Sequence, residues 1–191
     1  VPQVACFDTS FHTTQPELAK LYGLPKKLYD EGVLRYGFHG LSYDYVAQRL
    51  PEVAPQIAQG RVIVAHLGSG ASLCALKARR SVDCSLGFTA LDGLCMGTRP
   101  GSVDPGVILH LFQALKLSAP EVEAILYKKS GLLGVSGISN DMRKLETSTD
   151  AQARIANDYF VYQAAKHSGH PASVLDGADA TLLSDETAIG R

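Results

Sequence analysis

The sequence predicts an α/β domain built on a mixed sheet with flanking helices. Three observations carry this. Val62 to Ala65 and Ala71 to Leu76 are apolar runs of strand length, and only a tight turn, His66-Leu67-Gly68-Ser69-Gly70, separates them. Amphipathic helix patterns with their own start signals follow in the second half of the chain. Near the start, the short apolar run Val4-Ala5-Cys6-Phe7 reads as a buried strand that delivers Asp8 to a strand end, where open α/β sheets place their chemistry.

The glycine turn has two readings. Glycines let a backbone approach a ligand and turn its N–H groups toward one anion, and Ser69, Ser72 and His66 add side-chain donors. That makes a phosphate cradle. A plain hairpin whose glycines supply positive φ explains the same residues, and on this stretch alone it is the simpler account.

Composition narrows the class. The chain has 191 residues, 46% hydrophobic, with a formal net charge of −1, which suits a globular domain with a real core. Charge so near zero gives no reason to expect nucleic acid or an anionic membrane as partner. No apolar run approaches the roughly 20 residues of a membrane span. The start, Val1 to Ala5, lacks the basic and long apolar regions of a secretion signal and lacks an initiator Met, so it reads as a chain entered in mid-strand. Cys6, Cys74, Cys84 and Cys95 show no C-x-x-C spacing. Most read as small apolar core residues; disulfide pairing is possible on count but fits poorly with what looks like a cytoplasmic enzyme, and the spacing of zinc ligands is absent.

The elements follow in order. Pro16 to Leu21 forms a helix with Pro in its first turn, ended by Leu24-Pro25. Val33-Leu34-Arg35-Tyr36 is a short strand. His39 follows between Gly37 and Gly40, which leave its surroundings uncrowded and suit a donor facing a ligand; a structural His is the plainer alternative. Ser42 to Leu50 is a helix with Ser42 as N-cap. Pro51 to Gly60 is a polar connection. Lys77 to Arg80 is a basic surface turn, and Ser81 to Ser85 resumes as a strand. Gly87 to Gly106 carries five Gly and two Pro, too many breakers for a regular element. Long irregular loops in compact domains tend to be functional. Arg99 sits in this one, where it can fork onto phosphate or carboxylate oxygens or simply meet solvent.

Pro105 to Leu117 is a helix capped by Asp104, with apolar Val107, Ile108, Leu111, Phe112 and Leu115. Ser118 to Lys128 is another, opened by a capping box of Ser118 and Glu121. Ser130 to Asn140 is a Gly/Ser-rich loop closed by Asp141-Met142-Arg143. Asp150 to Ala165 is a third helix, with Ile155, Tyr159, Tyr162 and Gln163 on or near one face. Val174 to Leu183 fits a further strand.

Taken together, Phe7-Asp8-Thr9-Ser10-Phe11-His12, Tyr36 to Gly40, His66 to Gly70, Asp83 to Thr89, Met96 to Gly101 and Ser136 to Arg143 resemble acetate kinase, of the sugar kinase, Hsc70 and actin superfamily. The resemblance runs from Val1 to about Ala165 and covers the middle of that family's chain. It implies an incomplete ribonuclease H-like domain of the actin-type ATPase class. Residues 1–14 would end an amino-terminal lobe, 15–165 would form the main carboxy-terminal lobe, and 166–191 would be a diverged or truncated tail.

The resemblance also implies chemistry: reversible phosphorylation of acetate by ATP with Mg²⁺, by direct phosphoryl transfer. It makes Asp8 an active-site carboxylate near metal and substrate, with His39 and Arg99 stabilising the transition state. It makes His66, Leu67, Gly68, Ser69 and Gly70 the phosphate-binding loop, and Asp141, Met142 and Arg143 a nucleotide-binding segment. It implies a homodimer at full length, and no catalysis from an isolated fragment. A non-catalytic nucleotide-binding module of the same fold is the alternative.

Four departures stand out. Ser69 replaces the Asn of H-L-G-N-G, and Tyr43 ends a motif usually written H-G-T-S-H. Ala90 stands where Pro usually follows G-F-T, in a region that helps shape the acyl pocket, so propionate or a longer acid is a candidate substrate. From Ser184 to Arg191 the chain leaves the family's G-I-G-E-N loop. With Leu175 to Leu183 it is instead similar to the L-D-G-A-D-x-x-x-L-S-x-E-T-A-x-G motif of pyruvate kinase, as either a diverged tail or a joined sequence.

Overall fold

The computed structural model describes residues 1–185. Residues 186–191, which hold the last five positions of the pyruvate-kinase-like motif, lie outside them. The chain packs as two units. The first holds Val1–Leu67, Ser72–Ala90 and the chain from His167 onward; the second holds Gly68–Ala71 and Leu91–Lys166.

The first unit carries the sheet. Strands β1 (Arg61–Leu67), β2 (Ala71–Lys77), β3 (Arg80–Cys84) and β4 (Ala180–Asp185) lie in the order β3-β2-β1-β4. β2 pairs antiparallel with β3, and β1 pairs parallel with β4, Val62 opposite Ala180. The sheet is therefore mixed, as expected. β2 is buried along its length up to Lys77, which is why it reads as an unbroken apolar run. The basic turn between β2 and β3 has positive φ at Ala78 and Arg79, the backbone a two-residue hairpin loop needs.

Two expected strands are absent. Val4 to Phe7 is exposed and unpaired by any ladder among the described residues, and Asp8–Thr14 forms a 3₁₀-helix directly after it. Val33 to Tyr36 is likewise no strand: its amides bond singly, Arg35 to the Lys20 carbonyl and Tyr36 to that of Gly87. An apolar run becomes a strand only when another strand offers its backbone groups.

Helices α1 (Glu17–Lys20), α2 (Lys26–Asp30) and α3 (Gly40–Val53) precede the sheet. α3 buries Gly40, Tyr43, Ala47 and Leu50, a stripe at helical spacing. Its N-cap is His39, not Ser42, which lies inside the first turn.

In the second unit, α4 (Pro105–Gln113) starts where expected, with the Asp104 side chain accepting from the Gly106 amide. It stops short of Leu117 because Lys116 turns left-handed, φ 56°. α5 (Ala119–Lys128) carries the anticipated capping box. The stretch read as loop contains α6 (Gly131–Ser136), between left-handed Gly131 and Gly137. α7 (Met142–Glu146) follows. α8 (Ala151–Val174), of which the residues up to Lys166 belong to this unit, runs nine residues past the expected Ala165, through Pro171, and ends at left-handed Asp176 and Gly177. Its Ala153 and Ala156 pack with Leu132 and Leu145 as the core of this unit, whereas Ile155 and Tyr162 are exposed. No helix among the described residues is long and apolar enough to cross a membrane.

Two expectations follow. Gly131 has φ +64°, and a methyl there would overlap the Met96 carbonyl oxygen, so Gly131→Ala should lower stability by about 2 kcal/mol or more, read from the urea midpoint. An unchanged midpoint would contradict this packing. The second concerns His12, whose imidazole is pushed below its ordinary 6.5 by burial. The unfolded chain takes up that proton first, so stability should fall as pH drops below about 6.5 toward the lowered folded value. Comparing urea midpoints near about pH 7.5 and about pH 5.5, His12→Gln should flatten this decline; an equally steep decline in the variant would contradict it.

Candidate active site

In the first unit the site grows from a buried histidine. His12 is only 1% exposed. Its Nε2–H donates to the Phe38 carbonyl at 2.9 Å, and Nδ1 pairs with the Ser81 hydroxyl on β3, also at 2.9 Å. Gln15 donates to the same Ser81 oxygen at 3.1 Å. The segment Gly37 to Gly40 is thereby anchored from beneath.

The two glycines that flank His39 serve that anchoring. Gly37 has φ +75°, and a methyl on it would lie 2.6 Å from the His12 ring. A methyl on Gly40 would overlap the Asp8 carbonyl. The His12 ring against Gly37 and the Asp8 backbone against Gly40 are what demand glycine here. Between them His39 itself adopts φ 58°, ψ 22°, a left-handed conformation costly for a side chain with a Cβ.

The turn carries three of the expected residues together. Asp8 Oδ1 accepts from the Leu41 amide at 3.3 Å, at the first turn of α3. The His39 ring lies against the His66 ring, centroids 4.4 Å apart and planes 37° from parallel. His66 Nδ1 pairs with Ser42 Oγ at 3.1 Å, and His39 Nδ1 with Ser72 Oγ at 2.7 Å. The Tyr43 hydroxyl shares a short hydrogen bond with that same Ser72 oxygen. Leu67 closes β1 behind them.

In the second unit, the glycine turn is closed by the Gly68 amide donating to the Gly70 carbonyl at 2.9 Å. The Ser69 carbonyl accepts from the Gly97 amide at 3.2 Å, which ties the turn to the Arg99 loop. That loop is clamped by the start of α6: Leu132 N–H donates to Met96 O at 2.9 Å, Leu133 N–H to Gly97 O and Ser130 N–H to Thr98 O, each at 3.0 Å. Arg99 thus hangs from a fixed backbone. Desolvation by burial pulls its guanidinium below the usual arginine range, so an anion beside it would be favoured.

Asp141 and Met142 have local duties as well. Asp141 caps α7, accepting from the Arg143 amide at 3.1 Å, and the Arg143 guanidinium forks onto it through Nε and Nη2, each at 3.1 Å. The hydrogen bonds from Arg143 hold its carboxyl below the usual range. Met142 packs on the core of Leu132, Leu145, Ala153 and Ala156. The same unit also has a cavity of about 300 Å³ between Cys95, Pro100, Lys129, Gly131 and Tyr159, which sequence reasoning did not find.

Structure thus joins Asp8, His39 and His66 in one unit, and Gly68 to Gly70 with the Arg99 loop in the other. Sequence reasoning gave no part to His12, Ser72 or Tyr43 in holding His39. One signal was present: Ser72 is a polar residue inside an apolar strand, and a buried hydroxyl needs partners.

The model of the Acetokinase family matches residues 1–187, which carries the likeness past Ala165 and into the tail. The acetate kinase of Nitrobacter hamburgensis is 59% identical over 96% of this chain, and that of Methylocella silvestris 56% identical over the same share; each match covers 45% of the relative. Among solved structures, the acetate kinase of Porphyromonas gingivalis superimposes with a TM-score of 0.87 at 42% identity, over 92% of this chain and 45% of that one. A propionate kinase from Francisella tularensis gives 0.85 at 37% identity, over 92% and 46%. The chain spans about half the length of these relatives. With its glycine turn, its Asp8 and His39 motifs and its Arg99 loop all in the matched span, this chain belongs to the acetokinase family.

Proposed function

We propose that the protein carrying this chain is an acetate kinase of the cytoplasm, moving a phosphoryl group reversibly between ATP and acetate, and that this chain supplies part of the active site. The observation that carries the reading is the His39 turn, a strained backbone held by His12 and Asp8 so that the His39 and His66 rings lie against each other, tilted by 37°. Strain of this kind persists only where the surroundings over-determine it, and it concentrates at working sites.

Phosphoryl transfer asks a protein for position and charge neutralisation more than for covalent help. In this reading His39 and Arg99 donate to oxygens of the transferring group, where charge grows in the transition state. His66 and the turn from Leu67 through Gly68 and Ser69 to Gly70 hold phosphate oxygens, and Asp141, Met142 and Arg143 border the nucleotide. The donor set suits a polyphosphate: imidazoles, a partly desolvated guanidinium and a glycine turn.

For Mg²⁺ the fit is different. Among the described residues no group of three or more His, Cys, Asp and Glu side chains could hold a metal. A Mg²⁺ bound here would therefore rest mainly on phosphate oxygens and water, with Asp8 nearby, as this ion commonly does. Bound there, ATP supplies the phosphoryl group and the ion offsets its charge. The lobe boundaries near residues 14 and 165, and a homodimer, belong to the same proposal.

The test is acetyl phosphate formation from ATP, Mg²⁺ and acetate, trapped as the hydroxamate, with protein from the complete reading frame. Turnover is expected there and not from the 191-residue chain alone; a complete protein without turnover would overturn the reading. Propionate in the same assay reports whether Ala90 leaves a wider acyl pocket. Arg99→Ala should lower kcat on the order of 10²–10³-fold with a smaller change in KM for ATP. Arg99→Lys restores charge without the planar fork and should recover activity only in part. Near-normal kcat with a depressed melting temperature would make Arg99 a scaffold residue.

A further inference from the structure

We propose that Tyr43, acting through Ser72, is a positioning residue that fixes the tautomer of His39, keeping its proton on Nε2. The argument is a count of hydrogens in a closed space. Tyr43 and Ser72 are both 0% exposed, so every polar hydrogen they carry needs a partner within the protein. Among the described residues the Tyr43 hydroxyl has one hydrogen-bond partner, the Ser72 oxygen. A buried phenol hydrogen needs an acceptor, and with Ser72 as that one partner Tyr43 donates to it.

Ser72 Oγ also meets two groups, Tyr43 and His39 Nδ1 at 2.7 Å. Having accepted from the phenol, it has one hydrogen left, and Nδ1 is its remaining partner. Nδ1 must then be an unprotonated acceptor. A proton on Nδ1 would point two donors at one oxygen and leave the serine hydrogen without an acceptor in a sealed site, at the full cost of an unsatisfied buried group. The order of donation runs from Tyr43 to Ser72 to His39. A neutral His39 is left with Nε2–H, a hydrogen-bond donor.

This gives a physical role to a departure in the sequence. The position that usually holds His in the family's H-G-T-S-H motif here holds a phenol that delivers one hydrogen in one direction. The proposed consequence for catalysis rests on reading His39 as a donor to phosphoryl oxygens; the tautomer itself does not.

The experiment separates the two. In ¹⁵N-histidine-labelled protein from the complete reading frame, long-range ¹H–¹⁵N spectra at neutral pH report which ring nitrogen of His39 carries the proton. The wild type should show Nε2–H alone. Tyr43→Phe keeps the ring and removes the hydrogen, which frees Ser72 to accept from Nδ1, so the Nδ1–H form should become populated. Ser72→Ala should do the same, and adding Tyr43→Phe to it should change neither the tautomer ratio nor kcat further. kcat should fall roughly 10-fold or more in each single variant with KM for ATP little changed, the scale on which orienting partners of working imidazoles act. Nδ1–H in the wild type, or an unaltered ratio in both single variants, would overturn the proposal. Altered tautomers with unchanged kcat would keep the hydrogen-bond chain and remove the assigned catalytic part of His39.

Discussion

The hydrogen bond from the buried His12 ring to the Phe38 carbonyl is the constraint on which the first unit's site depends. It is made inside the protein, where leaving either group unpaired costs about 1–3 kcal/mol. It holds down a turn that contains a left-handed His39 and two glycines pressed against other backbone and ring atoms. Ser81 on β3, paired with Nδ1, the other nitrogen of the His12 ring, ties that turn to the sheet. From there the geometry propagates outward: Gly40 meets Asp8, Leu41 takes the Asp8 carboxylate, and α3 begins with its Tyr43 aimed at Ser72. Sequence, strain and placement are thus links in one chain of cause.

The second unit uses a different device. The Arg99 backbone has no left-handed φ of its own. It is held because the loop around it hydrogen-bonds to the first turn of α6, and because Gly131 lets that helix start lie against Met96 and Arg99. A cation kept partly out of water by such a clamp loses little freedom when an anion arrives, and its interaction with that anion is stronger than in open solvent. In both units the buried thiols, Cys74 and Cys84 in the first and Cys95 in the second, are pushed up by burial, away from the thiolate that covalent chemistry needs. Both units offer fixed donors, which is what an in-line transfer between two oxygens requires.

Much of this was legible in the sequence because local rules agreed with the tertiary outcome. The β1–β2–β3 meander follows from apolar runs and turn residues, and α4 and α5 from their caps. The failures share a cause. Val4 to Phe7 and Val33 to Tyr36 have strand-like composition, but pairing is a property of two segments and cannot be read from one. α8 outran its expected end because Pro171 sits close to the C-terminus, where little helix remains to disturb, and the stop signal is the later Asp176-Gly177 pair. His39 was found by motif, yet its flanking glycines read as open space when they are close approaches. The Tyr43–Ser72 pair was invisible because its meaning depends on residues 29 positions apart meeting in a dry interior.

The central claim is that His39 stands in this turn in order to donate to the transferring phosphoryl group. The most direct measurement is a crystal structure of the protein from its complete reading frame with ADP, Mg²⁺, aluminium fluoride and acetate, where the fluoride stands in for the transferring group. The account predicts His39 Nε2 within hydrogen-bond distance, about 3 Å, of a fluoride atom, with Nδ1 still on Ser72. A structure in which the His39 ring faces away from the fluoride, or in which the fluoride binds at a distance from this turn, would contradict it.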